Sequence, residues 1–248
     1  MAFKLGKHPP VFDERTLVFG NYLKAALPAP PAEKDYGALV PSWPMYYNDQ
    51  YGDCTCAAAG HMVQNWTANA GAEISPPEAS VLKFYEHFVG SPPPPDEGCN
   101  MLQVLKYWRS HGLDAHKVLA FAELGSQNLP QARTAIYLFG SVYIGVALPN
   151  FAVHADNLLK VPWVLPTGGA VGEAAPNPQN GHCIPAVGYD KENLYVITWG
   201  AVKKMSWGFF EAYADEVYAV LSEDFIGANE DTVDGFDIVQ LKSDLASL

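Results

Sequence analysis

Hydrophobic positions fall into two rhythms along this chain, and the change comes near residue 140. From Cys54 to Ala70 (CTCAAAGHMVQNWTANA) the pattern is helical: Cys56 shares a face with Ala59, Val63 and Trp66. Asp53 stands where an N-cap belongs, and the segment ends in Ala70-Gly71. A second helix is predicted over 78–89, opened by Ser75-Pro-Pro-Glu, and a third over 100–111. Between them Ser91-Pro-Pro-Pro-Pro-Asp makes a stiff polyproline step. A fourth helix covers 129–138 and stops at Gly140.

After that point the apolar residues run together. Val142–Leu148 (VYIGVAL) is β-branched and apolar, as a buried strand is. Beyond a glycine-rich loop over 166–181, HCIPAVGYD (182–190) and LYVITWG (194–200) flank a turn at Lys191-Glu192-Asn193 and read as a hairpin. A short helix is predicted from Met205–Trp207 through Tyr213, then a last strand at Val217–Leu221. Residues 1–45, with Pro9-Pro10, Pro28 and Pro30-Pro31, read as an extended arm lying over the body. Helices first and antiparallel strands afterwards make an α+β arrangement, not alternating βαβ units.

Composition narrows the function classes. Apolar residues make up 49% of the 248 and charged residues 17%, which suits one sizeable packed core. The net charge is −12 and no Lys/Arg-rich run occurs, so the basic footprint that nucleic acid or an anionic membrane needs is missing. No signal-peptide core precedes the first prolines and no apolar stretch is of membrane-spanning length, so the expectation is a soluble, cytoplasmic protein. Four cysteines are too few for a disulfide scaffold, and reduced thiols are the default. Their spacing with His61 fits no standard zinc pattern, the glycines at 168–172 lack the ending of a phosphate loop, and no cofactor is implied. Asn65-Trp66-Thr67 fits a glycosylation sequon but lies in mid-helix.

The candidate chemistry is that of a thiol. Cys54 follows Gly52-Asp53 into a first helical turn, where the helix dipole lowers a thiol pKa. A thiolate nucleophile needs a base from elsewhere in the chain, and His182 opens a strand after a loop. Asn48, six residues before Cys54, offers an amide to an oxyanion. A second register stays open, with Cys56 as nucleophile and Gln50 as the amide. Trp43, Tyr46, Tyr47, Trp199, Trp207, Phe209 and Phe210 are candidates to line a cleft, or to pack the core.

Taken together these segments resemble the papain-like cysteine peptidases, including the leader-peptide peptidases of bacteriocin export. In those families an amide residue precedes the cysteine by six positions, as Asn48 precedes Cys54, and Asp53-Cys54 followed by Ala57 is similar to the bacteriocin-leader form. Gln50 and Cys56 resemble the plant-enzyme spacing but lack the aromatic residue that usually follows. The family strand His-Ala-Val-x-x-Val-Gly-Tyr resembles His182-Cys-Ile-Pro-Ala-Val187-Gly188-Tyr189. The family's Asn-Ser-Trp-Gly resembles Ile197-Thr198-Trp199-Gly200, and Met205-Ser206-Trp207-Gly208 is similar to its second Trp-Gly. The resemblance covers residues 46–70 and 181–221. The arm and the helices between are not explained by it; the expectation is one papain-like domain over 1–248, with the arm at 1–45, a helical half at 46–140 carrying the nucleophile helix, and a β-rich half at 141–248.

One departure divides the functional reading. The family residue that orients the histidine maps onto Ile197, which accepts no hydrogen bond, so that role is empty unless Thr198 or a carboxylate such as Asp190 supplies it. Pro185 removes a donor from the histidine strand and suggests an edge or a bulge. The first reading is a thiol-dependent hydrolase acting on a peptide or amide bond through Cys54, His182, Asn48 and Thr198. The alternative is an inactive papain-like pseudoenzyme whose cleft binds a peptide, a glycan or a partner protein.

Overall fold

The computed structural model describes residues 3–24, 29–94, 97–125, 127–153, 159, 161–226 and 236–246. Pro28 of the arm and Pro95-Asp96 of the polyproline step lie outside them. Four helices form where local signals put them: α1 (Cys54–Asn69), α2 (Glu78–Val89), α3 (Met101–His111) and α4 (Leu129–Phe139). Asn100 and Asn128 cap α3 and α4 by accepting from the amides of Gln103 and Gln131, and Gly140 closes α4 at φ 75°. Asp53 departs from expectation. It holds the N-cap position of α1, but its backbone is not extended (φ −93°, ψ 17°) and its carboxylate makes no capping bond.

The strands are β1 (Lys34–Asp35), β2 (Val118–Leu124), β3 (Val142–Ala147), β4 (Gly181–Tyr189), β5 (Asn193–Thr198), β6 (Ala201–Ser206) and β7 (Ala214–Ser222). They form one antiparallel sheet in the order β2-β7-β3-β4-β5-β6, with the short β1 on β4. Strands β2 and β6 are additions to the sequence reading. Strand β6 ends at Ser206, and the short helix α5 (Trp207–Tyr213) starts and ends within the limits expected for it. Two further helices, α6 (Glu223–Ile226) and α7 (Ile238–Ala246), follow β7.

Pro185 sits on an interior strand rather than an edge. There it faces Tyr143 of β3, and pairing with β5 begins only at Ala186, so the missing N–H removes no bond to β5. A register shift does follow, between Ala186 and Gly188.

Each face of the sheet carries its own core. Tyr143 and Cys183 pack with α1, α2 and α3, while their neighbours Ile144 and Ile184 pack with α4 and α5. Burial on both faces explains the continuous apolar runs of β3 and β4. Helix α1 is buried from Cys54 to Thr67 and fixed at both ends. Tyr143 donates from its hydroxyl to the Thr55 carbonyl at 2.7 Å, and Trp66 donates to the Phe139 carbonyl at 2.7 Å. Among the described residues no helix is long and apolar enough to cross a membrane.

Candidate active site

His182 is the second residue of β4 and is 1% exposed. Its Nε2 lies 2.9 Å from the Thr198 hydroxyl at the end of β5. Its Nδ1 is buried and has no hydrogen-bond partner among the described residues. The Trp199 ring lies almost flat on the imidazole, with centroids 4.4 Å apart and planes 12° from parallel. That stack depends on a sharp reversal, in which Trp199 takes φ 46° and Gly200 φ 71°. Ile197 is itself buried, and Asp190 is occupied in its own turn, accepting from the amides of Glu192 and Asn193 and from the Tyr195 hydroxyl. Of the two substitutes that the sequence offers for the orienting role, only Thr198 meets His182.

Cys54 opens α1 and is 1% exposed, packed against β4. Here the expectation of a lowered pKa is overturned. Burial pushes the Cys54 thiol up, although the backbone amide of Cys183 favours its ionised form. The magnitudes explain why: a helix terminus contributes about 0.3–1 kcal/mol, less than one pKa unit, whereas full burial shifts a group by up to about 3–5 units. Burial also pushes His182 down, to about 3. Both groups are therefore neutral in this state.

Asn48 is buried, and its side chain donates to the Tyr51 carbonyl at 3.2 Å. Burial pushes the neighbouring Asp53 carboxyl well above its ordinary range, opposed by the nearby Asn48 amide; neither oxygen makes a well-aligned hydrogen bond among the described residues. Cys56 is fully buried beside Thr55, whereas Gln50 is exposed. Trp207, Phe209 and Phe210 are core residues, and Tyr46 fills space against Gly60 of α1. Of the seven aromatics, Trp199 alone stacks on His182.

A feature that sequence reading missed lies across these residues. Most of the arm lies along the body, with Leu17 and Val18 against Glu123 and Lys34–Asp35 on β4, but residues 4–8 thread between the two halves. Lys4 donates its amide to the Asn48 carbonyl at 2.9 Å and accepts from the Trp199 indole at 2.9 Å. The amides of Gly6 and Lys7 both donate to the Gly181 carbonyl at 3.1 Å. On the other side Cys99 donates to Gly6 at 2.9 Å and accepts from His8 at 3.1 Å, in a parallel bridge. The arm thus passes between the residues that precede Cys54 and the residue that precedes His182. Such an approach needs glycine on both sides. A Cβ on Gly6 would lie 1.9 Å from the Gly52 carbonyl oxygen, and one on Gly181 2.0 Å from that of Lys7.

The sequence matches no protein-family model, and no curated protein matches it. Solved structures do match. Xylellain, a cysteine protease from Xylella fastidiosa, aligns with a TM-score of 0.66 at 14% identity, over 89% of this chain and 96% of that one. The Carica candamarcensis cysteine protease CMS1MS2 aligns at 0.54 and 15% identity, over 77% and 98%. Procathepsin B from Trypanosoma congolense aligns at 0.53 and 13% identity, over 89% and 86%. The fold is papain-like. At these identities the likeness extends to the fold alone. Within this papain-like frame the buried helix is α1 and the histidine strand is β4, joined by the packing of α1 on β4.

Proposed function

We propose that this chain is a thiol-dependent hydrolase of peptide or amide bonds, held in a closed resting state by its own N-terminal arm. The observation that carries the reading is the asymmetry of His182, with one ring nitrogen against Thr198 and the other buried without a partner. Leaving a buried polar atom unpaired costs about 1–3 kcal/mol, and a base that must receive a proton is one reason for a fold to retain one.

In the opened enzyme, Cys54 passes its Sγ proton to His182 Nδ1 and attacks the carbonyl carbon. The Cys54 backbone amide and the Asn48 side chain stabilise the oxyanion. Collapse expels the amine, which takes the proton from His182, and water then hydrolyses the thioester with His182 as base. Thr198 orients the imidazole. Residues 1–248 act as one domain in this reading. A peptide-binding pseudoenzyme is the second reading, favoured by the raised Cys54 thiol and by Ile197 at the family's orienting position.

Iodoacetamide labelling across pH, mapped by mass spectrometry, separates the two. The full chain is compared with Gly6→Ala, whose new Cβ meets the Gly52 backbone and displaces the arm. In the opened chain Cys54 is expected to label with an apparent pKa well below about 8.5, the value of a free thiol, and to lose that shift in Gly6→Ala/His182→Ala. An opened chain whose Cys54 reacts only as an ordinary thiol, or only on unfolding, sinks the hydrolase reading.

A further inference from the structure

At the crossing, the Lys7 side chain leaves the arm and enters the sheet half. Its ammonium lies 3.0 Å from Asp215 Oδ2 and 3.1 Å from Glu216 Oε1, and donates to the His8 carbonyl at 3.0 Å. The Lys7 side chain is 1% exposed and that of Glu216 2%. Glu216 is fixed from behind by the Tyr218 hydroxyl, which donates to Oε2 at 3.1 Å.

Three details make this a built pocket rather than a chance ion pair. Successive strand residues ordinarily point to opposite faces, yet Asp215 and Glu216 reach the same ammonium. A bulge explains it: opposite β3, Gly145 pairs with Glu216 and Val146 with Ala214, leaving Asp215 as the extra residue. Gly145 then hollows the wall, because a Cβ there would lie 2.8 Å from Lys7 Cδ and 2.7 Å from Glu216 Cγ. Finally, Asp215 Oδ1 is buried without a partner among the described residues, so the pocket holds more acceptors than Lys7 uses.

We propose that this pocket is a subsite for the Lys or Arg side chain of a peptide lying in the groove, and that Lys7 fills it while the arm is in place. When the arm leaves, a buried carboxylate and its neighbour lose their cation, a state that burial strongly disfavours. A replacement that is cationic and reaches in from the Gly181 backbone restores the pair; a neutral or acidic one does not. The net charge of −12 favours the same class of ligand at long range. This inference rests on the groove being a peptide site, but not on catalysis.

Two measurements on the full-length chain test it. In Lys7→Ala the pocket is emptied, and n-butylammonium is expected to raise the melting temperature or restore a cooperative transition, while 1-butanol does not. Lys7→Ala/Glu216→Gln should lose that response. Equal effects of the ammonium and the alcohol, or no effect of either, overturn the proposal. In Gly6→Ala, a fluorescein-labelled Phe-Lys-Leu-Gly-Lys-His-Pro-Pro peptide is expected to bind at least ~10-fold tighter with Lys or Arg at its fifth position than with norleucine. Asp215→Asn/Glu216→Gln should abolish the difference, and equal affinities for Lys and norleucine also overturn the proposal. Selective binding by a chain with an inert Cys54 supports the subsite and sinks only the hydrolase. A reactive Cys54 without cation selectivity does the reverse.

Discussion

Thr198 and Ile197, adjacent at the end of β5, stand in different surroundings. The hydroxyl meets His182 Nε2 at 2.9 Å while the isoleucine is buried. Thr198→Val leaves the ring nitrogen buried and unpaired, and is expected to cost about 1–3 kcal/mol in urea unfolding. In the opened chain it should also slow Cys54 labelling about 10- to 100-fold, well short of the ~10⁴ seen when the orienting residue of a serine triad is spoiled. Placing an amide beside Thr198 with Ile197→Asn should not help. A buried amide without partners costs about 1–3 kcal/mol, with no gain in labelling rate. The histidine also sets a pH signature. Burial holds its pKa at about 3 against an ordinary 6.5. An unfolded imidazole takes up its proton below the ordinary value, the folded one only near the lower value, so stability falls as pH drops through that window. Each such group contributes about 1.4 kcal/mol per pH unit. His182→Gln should flatten the measured slope between pH 6 and 4 by about that amount, and an unchanged slope contradicts a neutral buried His182.

Elements whose signals are local were legible. Prolines, asparagine caps and Gly140 bracket α2, α3 and α4, and the limits predicted for α2 match the observed ones residue for residue. Strands β2 and β6 were not. VLAFAEL is too short an apolar run to tell strand from helix, and AVKKMS carries two lysines and an exposed Val202. That Cys54 opens a helix and His182 a strand was legible, but their burial was not, because it depends on partners distant in the chain. Lys7 and Glu216 stand 209 residues apart, and neither stretch carries a pattern that names the other. The threaded arm has a direct test. Wild type buries Lys7, so trypsin should spare the bond after it, whereas Gly6→Ala should be cut there at least ~10-fold faster. Equal cleavage rates contradict the threaded path.

On the scale of the whole molecule, α1 is held to β3 by Tyr143 and to the end of α4 by Trp66, and neither bond involves the arm. The net charge of −12 gives the molecule a long-range field that attracts cations. Association of a cationic peptide with Gly6→Ala should therefore slow as salt is raised from about 0.02 to 0.5 M, while a neutral peptide is little affected. The arm's covalent attachment has a further consequence. A tethered segment competes at an effective concentration on the order of millimolar, so a free peptide with the same contacts displaces it only above that level. In the proposed resting state the chain is then a threshold device. Dilute short peptides leave it shut, and opening falls to a ligand that outmatches Gly6 and Lys7 together, or to a cut in the arm that turns the tether into one more dissociable peptide.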